Sequence, residues 1–289
     1  MSHRSVVAFL KIRGSFEETL NEAIKLIGGI SYLESPIVLK PNICTGNDHT
    51  GCANVKVDIV KALINQIVNE KEDAEIQVVE SDSMSKYADR AFQKYGYNDL
   101  IDELKGRGLN ISISNLSKSP LKKITFKGDY FTDPELPEIL TSAGSFVSVA
   151  LPKTHELTMV TGALKNMFGL LPRKNQGFYH PNIHEVILDL NRMFRSTLCL
   201  IDGRTGLEGV TSGTPRELGC LILGKDPASV DATMTRAMGF APEKIRHIVE
   251  AERFGLGSMD PEIVGDNVDS YSVKFKTPSG LDGKALITQ

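Results

Sequence analysis

SFVSVALPKTHELTMVTGALKNMFGLLPRKNQGFYHPNIHEVILDLNRMF, residues 145 to 194, is the stretch around which the chain is organised. The apolar run Phe146 to Leu151 has the length and β-branched content of a strand buried on both faces. It stops at Pro152, and Lys153, Thr154 and His155 follow at once. A segment of small residues from Thr158 to Gly169 carries Lys165 and Asn166 among apolar neighbours. Phe178-Tyr179, His180 and His184 come next, so this window holds three of the chain's six histidines. In open α/β sheets ligands sit beyond the carboxyl ends of strands, which makes this strand end the expected site.

Working outward, Val6 to Ile12, Pro36 to Leu39 and Ile76 to Val79 read as strands. Helical patterns separate them: one opened by a Ser15/Glu18 capping box and ending at Gly28-Gly29, one carrying Val57, Val60, Leu63, Ile64 and Ile67 at helical spacing. Strand alternating with helix predicts a parallel sheet with covering helices. Helical segments follow around Lys86 to Lys94 and Asp99 to Lys105. From Leu109 to Asp133, ISISNLS and KKITFKGDYF alternate like half-exposed strands and are expected as antiparallel additions or an edge flap. Leu136 to Ala143 reads as a short helix leading into the central strand.

Downstream, Ile183, Val186, Ile187, Leu190, Met193 and Phe194 form an apolar stripe, with Asn182 and Glu185 as its expected capping box. Thr197 to Ile201 reads as a strand ending at Asp202-Gly203. GRTGLEGVTSGTPRELG then reads as a glycine-rich loop leading to a strand at Cys220 to Leu223. Asp226-Pro227 opens a helix, Ala241-Pro242-Glu243 another, and Tyr271 to Thr277 reads as a final strand. The expected class is therefore α/β, mainly parallel, with additional antiparallel strands. Residues 1 to 289 are taken as one domain, with two lobes flanking a cleft as the variant.

Composition narrows the function classes. A net charge of −3 gives no electrostatic case for nucleic acid or an anionic membrane. No apolar run approaches the roughly 20 residues of a membrane span. The cysteines, Cys44, Cys52, Cys199 and Cys220, contain no C-x-x-C pair, which argues against a zinc ribbon or a cluster-binding segment and fits a reducing cytoplasm.

Lys40, Asn42, Lys153, His155, Lys165, Asn166, His180 and Asp202 all follow or lie near expected strands, so one cleft is expected to gather them. Some of these have a bland reading too. His155 alone is as well explained as a loop histidine, and Lys165 as a helix lysine reaching for solvent. His180 and His184 stand four apart, but Pro181 and Asn182 place His180 ahead of the helix, and no H-E-x-x-H glutamate lies between them. His184 flanks the apolar stripe and is expected to be structural or exposed. Cys44, His49 and Cys52 resemble a metal site in composition, not in spacing. The GRTGLEG segment matches no complete phosphate fingerprint, and its glycines read as turn residues.

VLKPNI (Val38 to Ile43), LPKTHELTMVTGALKNMFGLLP (Leu151 to Pro172), Tyr179-His180, IDGRTGLEG (Ile201 to Gly209) and KDPASVDA (Lys225 to Ala232) together resemble the domain-of-unknown-function 362 family, in order and across nearly the whole chain. Some members of that family carry an appended ferredoxin segment, which this sequence lacks. The order His155, a T-M-V-T-G-A segment, Lys165, Gly169, Pro172, His180 is also similar to the N-terminal domain of nickel-pincer lactate racemases. That resemblance implies Lys165 as a cofactor-anchoring lysine, His155 as an acid/base and His180 as a metal ligand; Lys40, Asn42, Lys153, Asn166 and Asp202 are expected around the ligand from their places near the strand ends alone. The turn departs from the racemase pattern, being apolar with Asn166 added.

The resulting expectation is a cytoplasmic enzyme acting on a small organic anion, with a divalent metal such as nickel, or a flavin, as the implied cofactor. The alternatives are an oxidoreductase using flavin or a ferredoxin-like iron–sulfur partner, and a non-enzymatic binder of a metal or metabolite.

Overall fold

The computed structural model describes residues 5–281. Its centre is a strand, β7 (Ser145–Ala150), in which every residue is buried. Because side chains alternate across a strand, Phe146 and Ala150 enter the core on one face and Val147 and Val149 the core on the other. Each such Val or Phe contributes about 1.5–3 kcal/mol of burial. The same division runs through the neighbouring strands, so both faces of the sheet need covering.

In chain order the elements are β1 (Val6–Lys11), α1 (Phe16–Leu26), β2 (Ile37–Pro41), α2 (Val57–Glu70), β3 (Ile76–Glu80), α3 (Ala88–Lys94), α4 (Tyr97–Gly106) and β4 (Ile111–Asn115). After these come β5 (Leu121–Lys123), β6 (Glu135–Pro137), β7, β8 (Lys153–His155), β9 (Met159–Thr161), the single turn α5 (Ala163–Asn166) and α6 (Ile183–Met193). The last are β10 (Ser196–Gly209), β11 (Gly213–Gly224), α7 (Pro227–Ala237), α8 (Arg246–Arg253) and β12 (Glu262–Gly265).

The main sheet has the order β12-β1-β11-β10-β7-β2-β3-β4, with β8 and β9 attached beside β10. From β10 to β4 the pairings are parallel, while β10–β11, β1–β11 and β8–β9 are antiparallel. The α1 to α4 helices contribute to the core on one face and α5 to α8 to the core on the other. This is the expected α/β class. Ser15 caps α1 as its sequence predicts, accepting from Glu18 N–H at 3.1 Å while Glu18 accepts from Ser15 N–H.

Several expectations are corrected. ISISN forms β4, which pairs parallel with β3 at the sheet edge rather than antiparallel; its half-exposed pattern comes from the edge position, not from strand direction. Antiparallel pairing is instead found between β5 and β6, in a separate two-stranded sheet, and Glu138–Ser142 beyond β6 is a 3-10 turn. The presumed glycine-rich loop is a hairpin: β10 runs on through Asp202 to Gly209, irregular between Gly203 and Thr205, and returns as β11. Tyr271 to Thr277 is no strand, and β12 at Glu262–Gly265 pairs with β1 instead. Asn182 makes no side-chain cap bond, and Glu185 pairs with Arg246.

The β5–β6 excursion is fastened to the body by one carboxylate. Asp189, fully buried on α6, accepts from the backbone N–H groups of Asp129 (3.1 Å), Tyr130 (2.8 Å) and Phe131 (2.9 Å). The rings of Tyr130 and Phe131 then pack 5.9 and 6.2 Å from Tyr179, next to His180.

Candidate functional site

Strands β2, β3 and β7 run parallel, so their carboxyl ends open on one side of the sheet. Lys40 comes from the end of β2 and Glu80 from the end of β3. Lys40 Nζ bonds Glu80 Oε2 at 2.7 Å, the carbonyl of Pro41 at 2.8 Å and Asn166 Oδ1 at 3.2 Å. Both charged side chains are almost wholly buried. Burial, and to a lesser degree the Lys86 charge, lower the Lys40 pKa, and the Glu80 charge and hydrogen bond oppose that fall. Lys86 comes from the other side, 3.6 Å from Glu80 Oε1 and bonded to the carbonyl of Ser81 at 2.6 Å.

Asn166 knits these strand ends together. Its amide donates to the carbonyl of Lys40 (2.8 Å), to Ser148 Oγ (3.0 Å) and to the carbonyl of Val149 (3.3 Å). Lys153 is spent in a similar way behind the wall, on Asn42 Oδ1 (2.7 Å), the carbonyl of Ala53 (2.9 Å) and Cys44 Sγ (3.3 Å).

Lys165 differs. It stands one residue before Asn166 on α5, and its ammonium lies 5.1 Å from the centre of the Phe168 ring. Among the described residues no hydrogen-bond acceptor or carboxylate is bonded to it. Burial, then the charges of Lys153 and Lys40, lower its pKa to about 8. Asp231 of α7 sets the turn that carries it. Its buried carboxylate accepts from Ala163 N–H (2.6 Å) and Leu164 N–H (3.0 Å). A Cβ at Gly162 would stand 2.3 Å from that carboxylate, so the chain can pass there only as glycine.

These residues enclose a cavity of about 280 Å³ that Lys40, Asn42, Glu80, His155, Lys165, Asn166 and His180 line together. Lys40, Lys86 and Lys165 face it and Lys153 stands behind, four ammonium groups against the carboxylate of Glu80. His155, at the end of β8, is buried, and its pKa lies well below the usual histidine value, chiefly from burial and then from Lys165 and His180. Its Nδ1 accepts from Leu157 N–H at 3.0 Å, so the neutral ring carries its proton on Nε2. His180 lies in a 3-10 turn at the exposed rim, its ring 6.2 Å from Phe168, and burial and Lys165 lower its pKa.

A model of the domain of unknown function DUF362 matches residues 37–236. The chain belongs to that family. This DUF362 chain is 25% identical over 263 residues to a thylakoid-associated protein of Synechocystis sp., covering 86% of this chain and 78% of the relative. Among solved structures it is similar to the lactate racemase apoprotein of Thermoanaerobacterium thermosaccharolyticum, with a TM-score of 0.46 and 13% identity. That similarity covers 70% of this chain and 51% of the racemase, so the DUF362 chain spans about half of that protein.

The sequence-predicted residues divide by place. Lys40, Asn42, His155, Lys165, Asn166 and His180 line the cavity, while Lys153 reaches it through Asn42. Asp202 does not line it: its carboxylate takes Arg204 at 2.9 Å and stands by a small cleft with Lys56 and Leu151. The expected loop end at Asp202 is mid-strand, and this is why the carboxylate points elsewhere. His184 is buried, its ring 5.9 Å from that of His247. Glu80, Lys86 and Gln176 also line the cavity and went unpredicted. The one signal for Glu80 was its place where an apolar strand turns polar.

No group of three or more His, Cys, Asp or Glu side chains able to hold a metal occurs among the described residues. In the present tautomer His155 has no free lone pair for an ion. The donor set therefore does not fit a metal site built from protein side chains alone. Among the described residues no helix is long and apolar enough to cross a membrane.

Proposed function

We propose that this protein is a cytoplasmic enzyme that binds a small organic anion and acts on it at Lys165. The observation that carries the reading is the charge balance of the cavity: three lysines line it against one carboxylate, and the ammonium of one of them, Lys165, is bonded to no acceptor among the described residues. Lys40 and Lys86 are held by Glu80 and Lys153 by amide and carbonyl oxygens, so the field they leave points at Lys165. A carboxylate or phosphate there would satisfy the half-buried ammonium and return its pKa toward the ordinary value.

The histidines supply the proton chemistry of the reading. His155 presents an N–H at Nε2, a donor for an oxygen of the bound anion or for developing negative charge. His180 is a neutral base near pH 7 at the rim, suited to carrying a proton between ligand and water.

The test is calorimetric titration of the protein with acetate and with inorganic phosphate, alongside its visible absorption spectrum. Saturable binding of either anion by the wild type, lost in Lys165→Met, is the expected result. Flavin bands in the purified protein, or anion binding indifferent to Lys165, would overturn the reading.

A further inference from the structure

The lysine cavity is not closed on the His155 side. A larger chamber of about 520 Å³ lies beyond it, between the end of β8, the tip of the β10–β11 hairpin and residues 276 to 279. His155, Val210 and Thr211 line both spaces, so the two meet across one imidazole and one hairpin tip.

The chemistry changes at that boundary. In the lysine cavity cations outnumber carboxylates. In the chamber Glu156 and Glu208 face one lysine, Lys276, and the remaining lining is largely hydroxyl-bearing, including Thr154, Ser212 and Thr214. Among the described residues no Phe, Tyr or Trp lines it, and the one ring it meets is the His155 imidazole at the boundary. Glu208 is the most constrained of these groups, with a side chain 7% exposed. Its Oε1 accepts from Lys276 N–H at 2.9 Å and lies 3.5 Å from Arg216 Nε. Oε2 has no bond among the described residues, a carboxylate acceptor still to be used. A second anionic group would be repelled there, whereas neutral hydroxyl groups would find acceptors in Glu156 and Glu208 and partners in the threonines.

We infer that the ligand is a hydroxylated organic anion, its charged end beside Lys165 and its polyol body reaching past His155 into the hairpin chamber. This rests on the anion reading of the lysine cavity and extends it from head group to substrate class. It also gives the hairpin tip a role as the wall that distinguishes a long polyhydroxy acid from a short one.

The experiment compares gluconate with acetate by calorimetry on the full chain. Gluconate should bind about tenfold or more tightly than acetate, as charge-assisted hydrogen bonds predict. Glu208→Gln and Glu156→Gln should each shrink that advantage and leave acetate affinity unchanged. Glu156 is exposed, so its variant stays informative even if Glu208→Gln fails to fold. Acetate bound as well as gluconate, or a gluconate advantage that survives the carboxylate variants, would overturn the inference and leave the anion reading standing. No binding of either anion would overturn both.

Discussion

Lys40 Nζ and Glu80 Oε2, from the ends of adjacent parallel strands, meet at 2.7 Å with side chains 1% and 2% exposed. The pair closes the base of the cavity and also joins two strands of the core. Taking one partner away strands the other in a medium that solvates it poorly.

Glu80→Gln should therefore cost about 3–5 kcal/mol of stability, because Lys40 and Lys86 both lose their buried carboxylate. Denaturant melts measure this. Pairing Glu80→Gln with Lys40→Met should recover part of the loss, since the residual penalty is an unmatched charge. A melt of Glu80→Gln that overlays wild type would show the pair to be without structural weight.

Gly169→Ala should damage the same place from the other side. The added methyl would stand 2.7 Å from Glu80 Oε1 and from Lys40 Cε, and neither is free to retreat. A loss on the order of 1–3 kcal/mol is expected from such overpacking. Full stability for this variant would mean the wall gives way more readily than its bonds imply.

Lys165→Met should leave folding untouched and abolish anion binding. Methionine keeps the apolar stem against Phe168 and removes a charge that no carboxylate among the described residues neutralises. Circular dichroism and calorimetry separate the two effects. A variant that unfolds makes Lys165 a structural residue; one that binds as wild type removes it from the site.

The pH dependence has a definite sign. The ammonium form binds the anion, so affinity should hold below about 8, the pKa to which Lys165 is lowered, and fall about tenfold per pH unit above it. The folded state gives up this proton before the unfolded chain does, so the group's unfavourable contribution to stability is relieved from about 8 toward the ordinary lysine value. At pH 7 roughly 10% of Lys165 is free amine, against roughly 0.03% of an ordinary lysine. Acylation at neutral pH, read by peptide mass, should accordingly favour this lysine, and bound anion should protect it.

Asp231→Asn tests how the turn is held. An asparagine would aim an N–H group at Ala163 or Leu164 N–H, where two donors now meet a carboxylate. A loss of about 2–4 kcal/mol is expected, with weaker anion binding as Lys165 shifts. Unchanged affinity in a destabilised variant would confine Asp231 to stability.

The sheet centre was legible because its strands are apolar on both faces and punctuated by Pro152 and Gly28-Gly29. The Ser15/Glu18 box is legible because its spacing is dictated by backbone geometry. The β10–β11 hairpin was hidden by its own glycines and by Pro215, which mimic loop composition although the strands pair through most of that length. Lys165 could be singled out from an apolar neighbourhood. Glu80 could not, because what distinguishes it is a partner forty residues away. Asp202 went astray for the converse reason: local sequence marks a polar residue after an apolar run, but not which way an extended strand turns it.

The Asp189 clamp ties the timing of one site residue to a remote excursion. Three amide bonds and the packing of Tyr130 and Phe131 on Tyr179 link residues 128–131 to the turn that carries His180. Hydrogen exchange should accordingly find residues 120–137 and 176–182 opening as one unit, with a free energy well below that of β2, β3 and β7. The lysine floor would then be permanent and the histidine rim intermittent, admitting ligand at the rate at which a single carboxylate releases its three amides.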